Sequence, residues 1–97
     1  MTTVLVTLKT DPAERPALAR EVTRLAERAR ALPGNAGFSV LTDADDPTAL
    51  VIAQDWQSNS EFEAYKAGPV FADLGALLRP ALTAPPMTRQ FGTEVMA

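Results

Sequence analysis

The residues best suited to chemistry lie in the stretch Leu50–Leu74, where an apolar run leads to Trp56, the only tryptophan of the chain. Tyr65, the only tyrosine, follows nine residues later. An indole N–H can donate a hydrogen bond to a carbonyl or a developing oxyanion, and a phenol can donate a proton or bind a phenolate. We therefore take Trp56 and Tyr65 as candidate catalytic residues.

Both candidates also have a purely structural interpretation. Large aromatic residues at the junction of a sheet and a helix are normal packing, so Trp56 could equally anchor the strand to the helix. Tyr65 could be a half-buried phenol at a pocket rim. Apolar side chains near them would line either a core or a substrate pocket. The candidates for a substrate pocket are Phe38, Ile52, Phe62 and Phe71.

Composition excludes several classes of site. The chain has 97 residues, with no histidine and no cysteine. Without histidine there is no Ser/His triad, no histidine general base and no histidine-ligated haem or zinc. Without cysteine there is no disulfide, thiolate nucleophile or iron–sulfur cluster. We expect no metal and no cofactor, so catalysis would depend on carboxylates, Tyr65, lysine, arginine, amides or the reactivity of the substrate.

Charge and hydropathy limit the partners. The net charge is −3 and basic residues are not clustered, so we expect no nucleic-acid binding. We find no apolar stretch of about 18 residues that could span a membrane, and Lys9 and Asp11 interrupt the first apolar run, unlike a signal peptide. These features predict a cytoplasmic protein. Its length predicts a single domain over residues 1–97.

The elements of the first half follow from hydrophobic periodicity. Alternation of apolar and polar residues predicts a strand over Thr3–Lys9. Apolar residues at steps of four and three then predict a helix that begins near Asp11 or Pro16 and ends before Gly34. Its arginine-rich outer face is typical of a solvated helix surface. A second strand is predicted over Gly37–Thr42.

The candidate residues belong to the next two elements. The third strand, Ala49–Gln57, follows the polar turn Asp43–Thr48, and this short spacing predicts an antiparallel hairpin. Three aspartates in the turn suggest calcium, but the turn lacks the glycine and glutamate of a calcium loop, so a solvated turn is favoured. Ser58 and Glu61 have the spacing of a capping box, which predicts a helix over about Asn59–Ala67.

The remaining elements complete a β-α-β-β-α-β order. After an interruption at Gly68–Pro69, Val70–Leu82 resumes helical spacing, and Met87–Met96 forms a last, less regular strand. This order predicts a ferredoxin-like α+β fold, a four-stranded antiparallel sheet with the helices on one face. Strands one and three carry apolar residues on both faces, so the second face also needs a cover. We expect a second copy of the chain, giving a homodimer.

Three segments, together with the element order, resemble a known family. They are P-G-N-A-G-F-S-V-L at residues 33–41, D-A-D-D-P at residues 43–47 and W-Q-S-N-S-E-F-E-A-Y at residues 56–65. They are similar to the antibiotic biosynthesis monooxygenase domain over nearly the whole chain, roughly Val4–Phe91. The resemblance implies that the two sheets of a homodimer pack face to face as a dimeric α+β barrel.

The resemblance also bears on the candidate residues. Trp56 matches the tryptophan that ends the third strand in this family. Tyr65 stands where many members have a histidine. Ile52 and Phe62 stand where the anthrone-oxidising branch has an asparagine and a tyrosine. The haem-degrading branch needs an axial histidine, which has no counterpart here.

The function that the resemblance implies is a cofactor-independent monooxygenase acting on a small aromatic substrate, a polyketide-like phenol, anthrone or quinol. A deprotonated electron-rich phenol can itself pass an electron to dioxygen, so the protein supplies a dry cavity, positioning and stabilisation of the anion. Two other functions stay open: a non-oxidative cyclase or isomerase on the same scaffold, and a non-catalytic dimeric binding module.

Overall fold

The structure is a computed structural model that describes residues 1–94 and 96. Its elements are β1 (Thr2–Lys9), α1 (Arg15–Arg30), β2 (Asn35–Thr42), β3 (Ala49–Trp56), α2 (Asn59–Lys66), α3 (Pro69–Leu78) and β4 (Met87–Gly92). The strands form one antiparallel sheet in the order β2-β3-β1-β4. The predicted ferredoxin-like α+β fold is confirmed. Among the described residues, no helix is long and apolar enough to cross a membrane.

The predicted element boundaries differ from the structure mainly near the C-terminus. The helical run predicted over Val70–Leu82 ends at Leu78. Pro80 explains this end, because proline lacks the amide hydrogen that would continue the helical hydrogen-bond pattern. The strand predicted over Met87–Met96 ends at Gly92, and Val95 within that prediction lies outside the described residues.

Alternation in the two central strands divides the sheet into two faces. The face that meets the helices carries the buried residues Val4, Leu8, Ile52 and Trp56. The register places their neighbours in rows that run across all four strands. One row is Phe38, Gln54, Val4 and Gln90, and the next is Val40, Ile52, Val6 and Thr88.

The helices cover this face unevenly. Helix α1 buries Leu18, Val22, Ala26 and Ala29 and packs mainly over β2. At the opposite edge of the sheet, every residue of β4 is exposed. The helical layer therefore closes over β2 and β3 and leaves space beside β1 and β4, where a ligand can enter.

Candidate functional site

A cavity of about 730 Å³ occupies the space between the sheet and helices α2 and α3. Its floor consists of the two rows described above without their β2 members, namely Val4, Val6, Ile52, Gln54, Thr88 and Gln90. Ligand pockets of drug-sized molecules fall in the range of roughly 300–1,000 Å³. The space is therefore large enough for a fused aromatic ring system.

Helices α2 and α3 and the segment after them form the rest of the cavity wall. The apolar helical side chains in it are Phe62, Tyr65, Phe71, Leu74 and Leu78. The segment 82–86 closes one end, and its first part is tied to the end of β1. Thr83 N–H donates to the Lys9 carbonyl at 2.9 Å, and the Thr10 hydroxyl donates to the Ala81 carbonyl at 2.8 Å.

Tyr65 is the centre of the aromatic cluster beside this cavity. Its ring is stacked on Trp56, with the two centroids 4.9 Å apart, and lies edge-on to Phe71 at 5.5 Å and to Phe38 at 6.2 Å. Such offset and edge-on pairs are favourable geometries for aromatic rings. The cluster therefore fixes the position of the Tyr65 side chain, which is only 4% exposed.

The hydroxyl of Tyr65 is buried and has no hydrogen-bond partner among the described residues. Burial raises the pKa of this phenol to about 12, because the apolar surroundings disfavour the phenolate. Tyr65 is therefore neutral at physiological pH and can serve as a hydrogen-bond donor rather than as a base. A buried donor without a partner is costly, so a ligand oxygen that reached it would gain its hydrogen bond without displacing another.

Trp56, the other candidate catalytic residue, lies deeper than the cavity. Its side chain is fully buried, and its indole N–H donates to Gln54 Oε1 at 3.0 Å. Because an indole nitrogen can only donate, the carbonyl oxygen of Gln54 must face it, and the amide NH₂ is directed elsewhere. Gln54 lines the cavity, and no described residue accepts from this NH₂.

Three of the four substrate-pocket candidates line the cavity, and the fourth does not. Ile52, Phe62 and Phe71 line the cavity together with Tyr65. Phe38 is buried against the Tyr65 ring and lies at the β2 end of its row, on the strand over which α1 packs. The structure thus brings four of the six candidates to the cavity wall and places Trp56 and Phe38 in contact with Tyr65.

Gln54 is the polar residue of the site that is not among the candidate catalytic or substrate-pocket residues predicted from the sequence. The signal that could have identified it is the alternation of β3, which places Gln54 on the same face as Ile52 and Trp56. Lys66, Arg79 and the segment 82–86 also line the cavity, and periodicity within single elements gives no indication of this.

A second, smaller cavity of about 250 Å³ lies behind Tyr65. Its wall includes Leu32, Pro33, Glu61 and Tyr65, so the tyrosine side chain borders both cavities. Glu61 Oε2 is buried there without a hydrogen-bond partner among the described residues. Only one half of the predicted capping box is present: Glu61 N–H donates to Ser58 Oγ at 3.4 Å, and no bond returns from the carboxylate.

The side chains of residues 1–94 and 96 contain no group of three or more acidic residues placed to hold a metal ion. The arrangement described above is an apolar space bordered by Gln54, whose amide NH₂ is unused, and by Tyr65, whose hydroxyl is unused and itself buried. It can bind an aromatic ring and donate hydrogen bonds to oxygen atoms on that ring.

Comparison with known proteins adds a family and a set of similar folds. Residues 1–76 match the model of a family described as antibiotic biosynthesis monooxygenase. No curated protein matches the chain. A candidate antibiotic biosynthesis monooxygenase from Nitrosomonas europaea is 20% identical, with 96% of this chain and 98% of that chain covered and a TM-score of 0.88.

Two further solved structures are similar over the whole domain. Rv0793 from Mycobacterium tuberculosis is 20% identical, covers 99% of this chain and 97% of its own, and has a TM-score of 0.87. A candidate antibiotic biosynthesis monooxygenase from Chloroflexus aurantiacus is 23% identical, covers 100% and 97%, and has a TM-score of 0.81. At these identities the similarity shows a shared fold.

Proposed function

This chain belongs to the antibiotic biosynthesis monooxygenase family, and from that premise we propose that its larger cavity oxidises an aromatic phenol, anthrone or quinol without metal or flavin. The observation that carries the proposal is the apolar cavity of about 730 Å³, which Tyr65 and Gln54 border with unused donors. Family membership supports oxidation as the reaction class, and the cavity supports a fused ring as the substrate.

The chemistry depends mainly on the substrate. A deprotonated, electron-rich ring passes one electron to dioxygen, and the two radicals combine to a peroxide on a ring carbon. The peroxide takes up a proton, and the hydrogen on the same ring carbon leaves as a proton while the O–O bond breaks, so one oxygen atom stays as the new carbonyl and the other leaves as water. The protein holds the ring in place, excludes bulk water and stabilises the ring anion by directed hydrogen bonds.

Each side chain of the site has a role in this proposal. Tyr65 donates to the ring oxygen, and its raised pKa of about 12 keeps the proton on the phenol throughout. The Gln54 amide is a second donor, and Trp56 holds it in the required orientation through the indole hydrogen bond. Phe62 and Phe71 form apolar walls against the ring.

The proposal includes a homodimer that covers the open face of the sheet. Large apolar side chains are exposed there, with Leu41 at 49%, Met87 at 65% and Phe91 at 43%. The register places Leu41, Val51, Thr7 and Met87 in one row across the sheet. Three of these four side chains are apolar, which supports association, and a second copy of the same sheet offers a matching surface.

A product assay tests the proposed reaction. Anthrone and 1-naphthol are incubated with the protein, and formation of anthraquinone and 1,4-naphthoquinone is followed against the uncatalysed background. We expect catalysed formation that falls by roughly a hundredfold in Tyr65→Phe, because loss of one oxyanion donor typically costs that much. Arg20→Gln, an exposed change away from the cavity, should leave the rate unchanged.

Two outcomes would contradict the proposal. One is no catalysed quinone formation with any aromatic phenol, anthrone or quinol in the panel. The other is conversion of a substrate to an isomer or a cyclised product without oxidation, which would indicate the non-oxidative reaction class on the same scaffold.

A further inference from the structure

The ionisable groups of the larger cavity carry a charge opposite to that of the chain. Apart from Tyr65, the ionisable side chains in its wall are those of Lys66 and Arg79, and no aspartate or glutamate is among the residues that line it. The chain as a whole has 12 acidic and 9 basic residues. The wall therefore concentrates positive charge within an acidic protein, which favours an anionic ligand.

Arg79 is the less neutralised of the two cations. It follows the last residue of α3, and it forms no salt bridge with any described residue. Its guanidinium lies along α3 over Gly75, because a Cβ atom at Gly75 would come within 3.3 Å of Arg79 Nη1. Gly75 itself lines the cavity, so its missing side chain leaves room for the guanidinium on the cavity wall.

Lys66 adds a second positive charge, which a salt bridge with Glu63 partly neutralises. Its ammonium lies 3.0 Å from Glu63 Oε1 and 4.7 Å from the centroid of the Phe62 ring. Glu63 is exposed and does not line the cavity, whereas Phe62 does. The ammonium is thus adjacent to an aromatic wall of the cavity, with its carboxylate partner outside.

We propose that the substrate of this cavity is an aromatic ring bearing a carboxylate, which binds Arg79 with Lys66 beside it. The inference rests on the proposed function and names its substrate class. A guanidinium binds a carboxylate through two parallel hydrogen bonds, which gives orientation as well as affinity. The ring then lies against Phe62, Tyr65 and Phe71, and the carboxylate determines which ring edge meets Gln54.

Anaerobic binding separates this inference from the oxidation. The probes are 1,4-dihydroxy-2-naphthoic acid and its methyl ester, which share the ring and both hydroxyls and differ only in the carboxylate charge. Calorimetry without oxygen should give a Kd for the acid roughly tenfold below that for the ester, the size expected of a charge-assisted contact. Raising the ionic strength should weaken binding of the acid and leave that of the ester unchanged.

Variants assign the preference to Arg79. In Arg79→Gln the acid should bind more weakly, so that its Kd agrees with that of the ester within about twofold. Arg79→Lys should retain part of the preference for the acid. Arg20→Gln removes an exposed arginine that does not line the cavity, and it should keep the full preference. Arg79 is exposed, so the fold should tolerate these changes.

The outcomes are distinct for the two proposals. Equal Kd values for acid and ester in the unmodified protein, or a preference that survives in Arg79→Gln, would overturn the carboxylate site. Tight, Arg79-dependent binding of the acid with no quinone formation in air would support the carboxylate site and contradict the oxidation. Catalysed oxidation of both probes with equal Kd values for acid and ester would support the oxidation and contradict the carboxylate site.

Discussion

At the scale of residues, Tyr65 is held neutral by the cluster around it, and this has a consequence for stability at alkaline pH. Burial raises its folded pKa to about 12, above the usual value near 10 in an unfolded chain. The unfolded state therefore ionises first as the pH rises. The contribution of the neutral Tyr65 phenol to folding stability is complete below pH 10, and it is lost as the pH rises through 10 toward 12.

Tyr65→Phe should remove this alkaline loss. We expect the unmodified protein to lose roughly 2 kcal/mol more unfolding free energy between pH 9 and pH 11.5 than the variant loses, since one pKa unit corresponds to about 1.4 kcal/mol. At pH 7 the variant should be at least as stable, because the hydroxyl it loses has no partner. Denaturant unfolding at both pH values measures this, and an equal alkaline loss in both proteins would refute the argument.

Gly34 is a second residue whose type is fixed by its surroundings. Its φ of 78° is in the left-handed region, and a Cβ atom there would lie 1.2 Å from Glu61 Oε2. We expect Gly34→Ala to lower the unfolding free energy by roughly 1–2 kcal/mol, mainly from backbone strain, because the end of the flexible Glu61 side chain can move aside.

A matched control and a double variant test the origin of this loss of stability. Gly92→Ala should change stability by less than about 0.5 kcal/mol, since nothing lies within 4 Å of its added Cβ. Gly34→Ala combined with Glu61→Ala should keep the same backbone cost of roughly 1–2 kcal/mol relative to Glu61→Ala alone. If Gly34→Ala were as stable as Gly92→Ala in thermal or denaturant unfolding, the requirement for glycine at residue 34 would be wrong.

The sequence predicted which residues share the face of the site better than it predicted how deeply each of them is buried. Alternation along β3 indicates that Ile52, Gln54 and Trp56 share a face, and they do. It does not indicate how far each lies from the open edge of the helical layer. Tyr65 packs on Trp56 and leaves Gln54 beside the cavity, and this follows from the placement of α2 rather than from any pattern within β3.

At the scale of elements, the turn between β2 and β3 is more ordered than a solvated turn. The Arg15 guanidinium donates to the backbone carbonyls of Asp43, Asp46 and Ala49 at 3.2, 2.8 and 3.3 Å. The arginine-rich face of α1 was predicted to be simply solvated, and at Arg15 this was wrong. A helix side chain that satisfies three carbonyls of a distant turn leaves no periodic signal in the sequence.

Arg15→Gln should therefore loosen the hairpin and destabilise the protein. We expect the unfolding free energy to fall by roughly 1.5–3 kcal/mol, the range for hydrogen bonds to a charged donor, and the amides of the turn to exchange faster. Arg20→Gln on the same helix is the control and should stay within about 0.5 kcal/mol, because Arg20 is exposed. Equal stability of the two variants by denaturant unfolding, with equal hydrogen exchange in the turn, would contradict this.

Element type was predictable where a pattern ran long enough, and element ends were predictable where a proline or glycine marks them. Gly34, before which the helix was predicted to end, has a positive φ. The end of α3 was predicted too late because the apolar spacing continues to Leu82, while Pro80 interrupts the backbone. Leu82 instead forms a bridge with Thr10, which helps to close the cavity.

At the scale of the whole molecule, the open sheet face predicts self-association. Light scattering coupled to size exclusion should give about twice the chain mass of 10.4 kDa. Leu41→Glu should shift the protein toward the monomer, because it places a charge among the apolar side chains of the face. Ala17→Glu on the exposed side of α1 should keep the dimer. A monomer in the unmodified protein, or a dimer insensitive to Leu41→Glu, would exclude this interface.

The layer architecture could be derived from the sequence, and the cavity could not. Element order and alternation determine which faces are apolar, and this is enough to place helices on one side of a four-stranded sheet. A cavity depends on the separation between two layers that are both apolar. Here that separation depends on how much of the sheet α1 covers and on the hydrogen bonds that join the segment after α3 to β1. Both are contacts between distant parts of the chain.

Oxygen uptake by protein freed of metal and flavin tests the central proposal most directly. With a chelator present and ¹⁸O₂ supplied, we expect one dioxygen consumed for each quinone formed from an anthrone, one ¹⁸O atom in that product, and a rate roughly a hundredfold lower in Tyr65→Phe. Absence of uptake above background across anthrones, phenols and quinols, or uptake only after flavin or a metal ion is added, would contradict it.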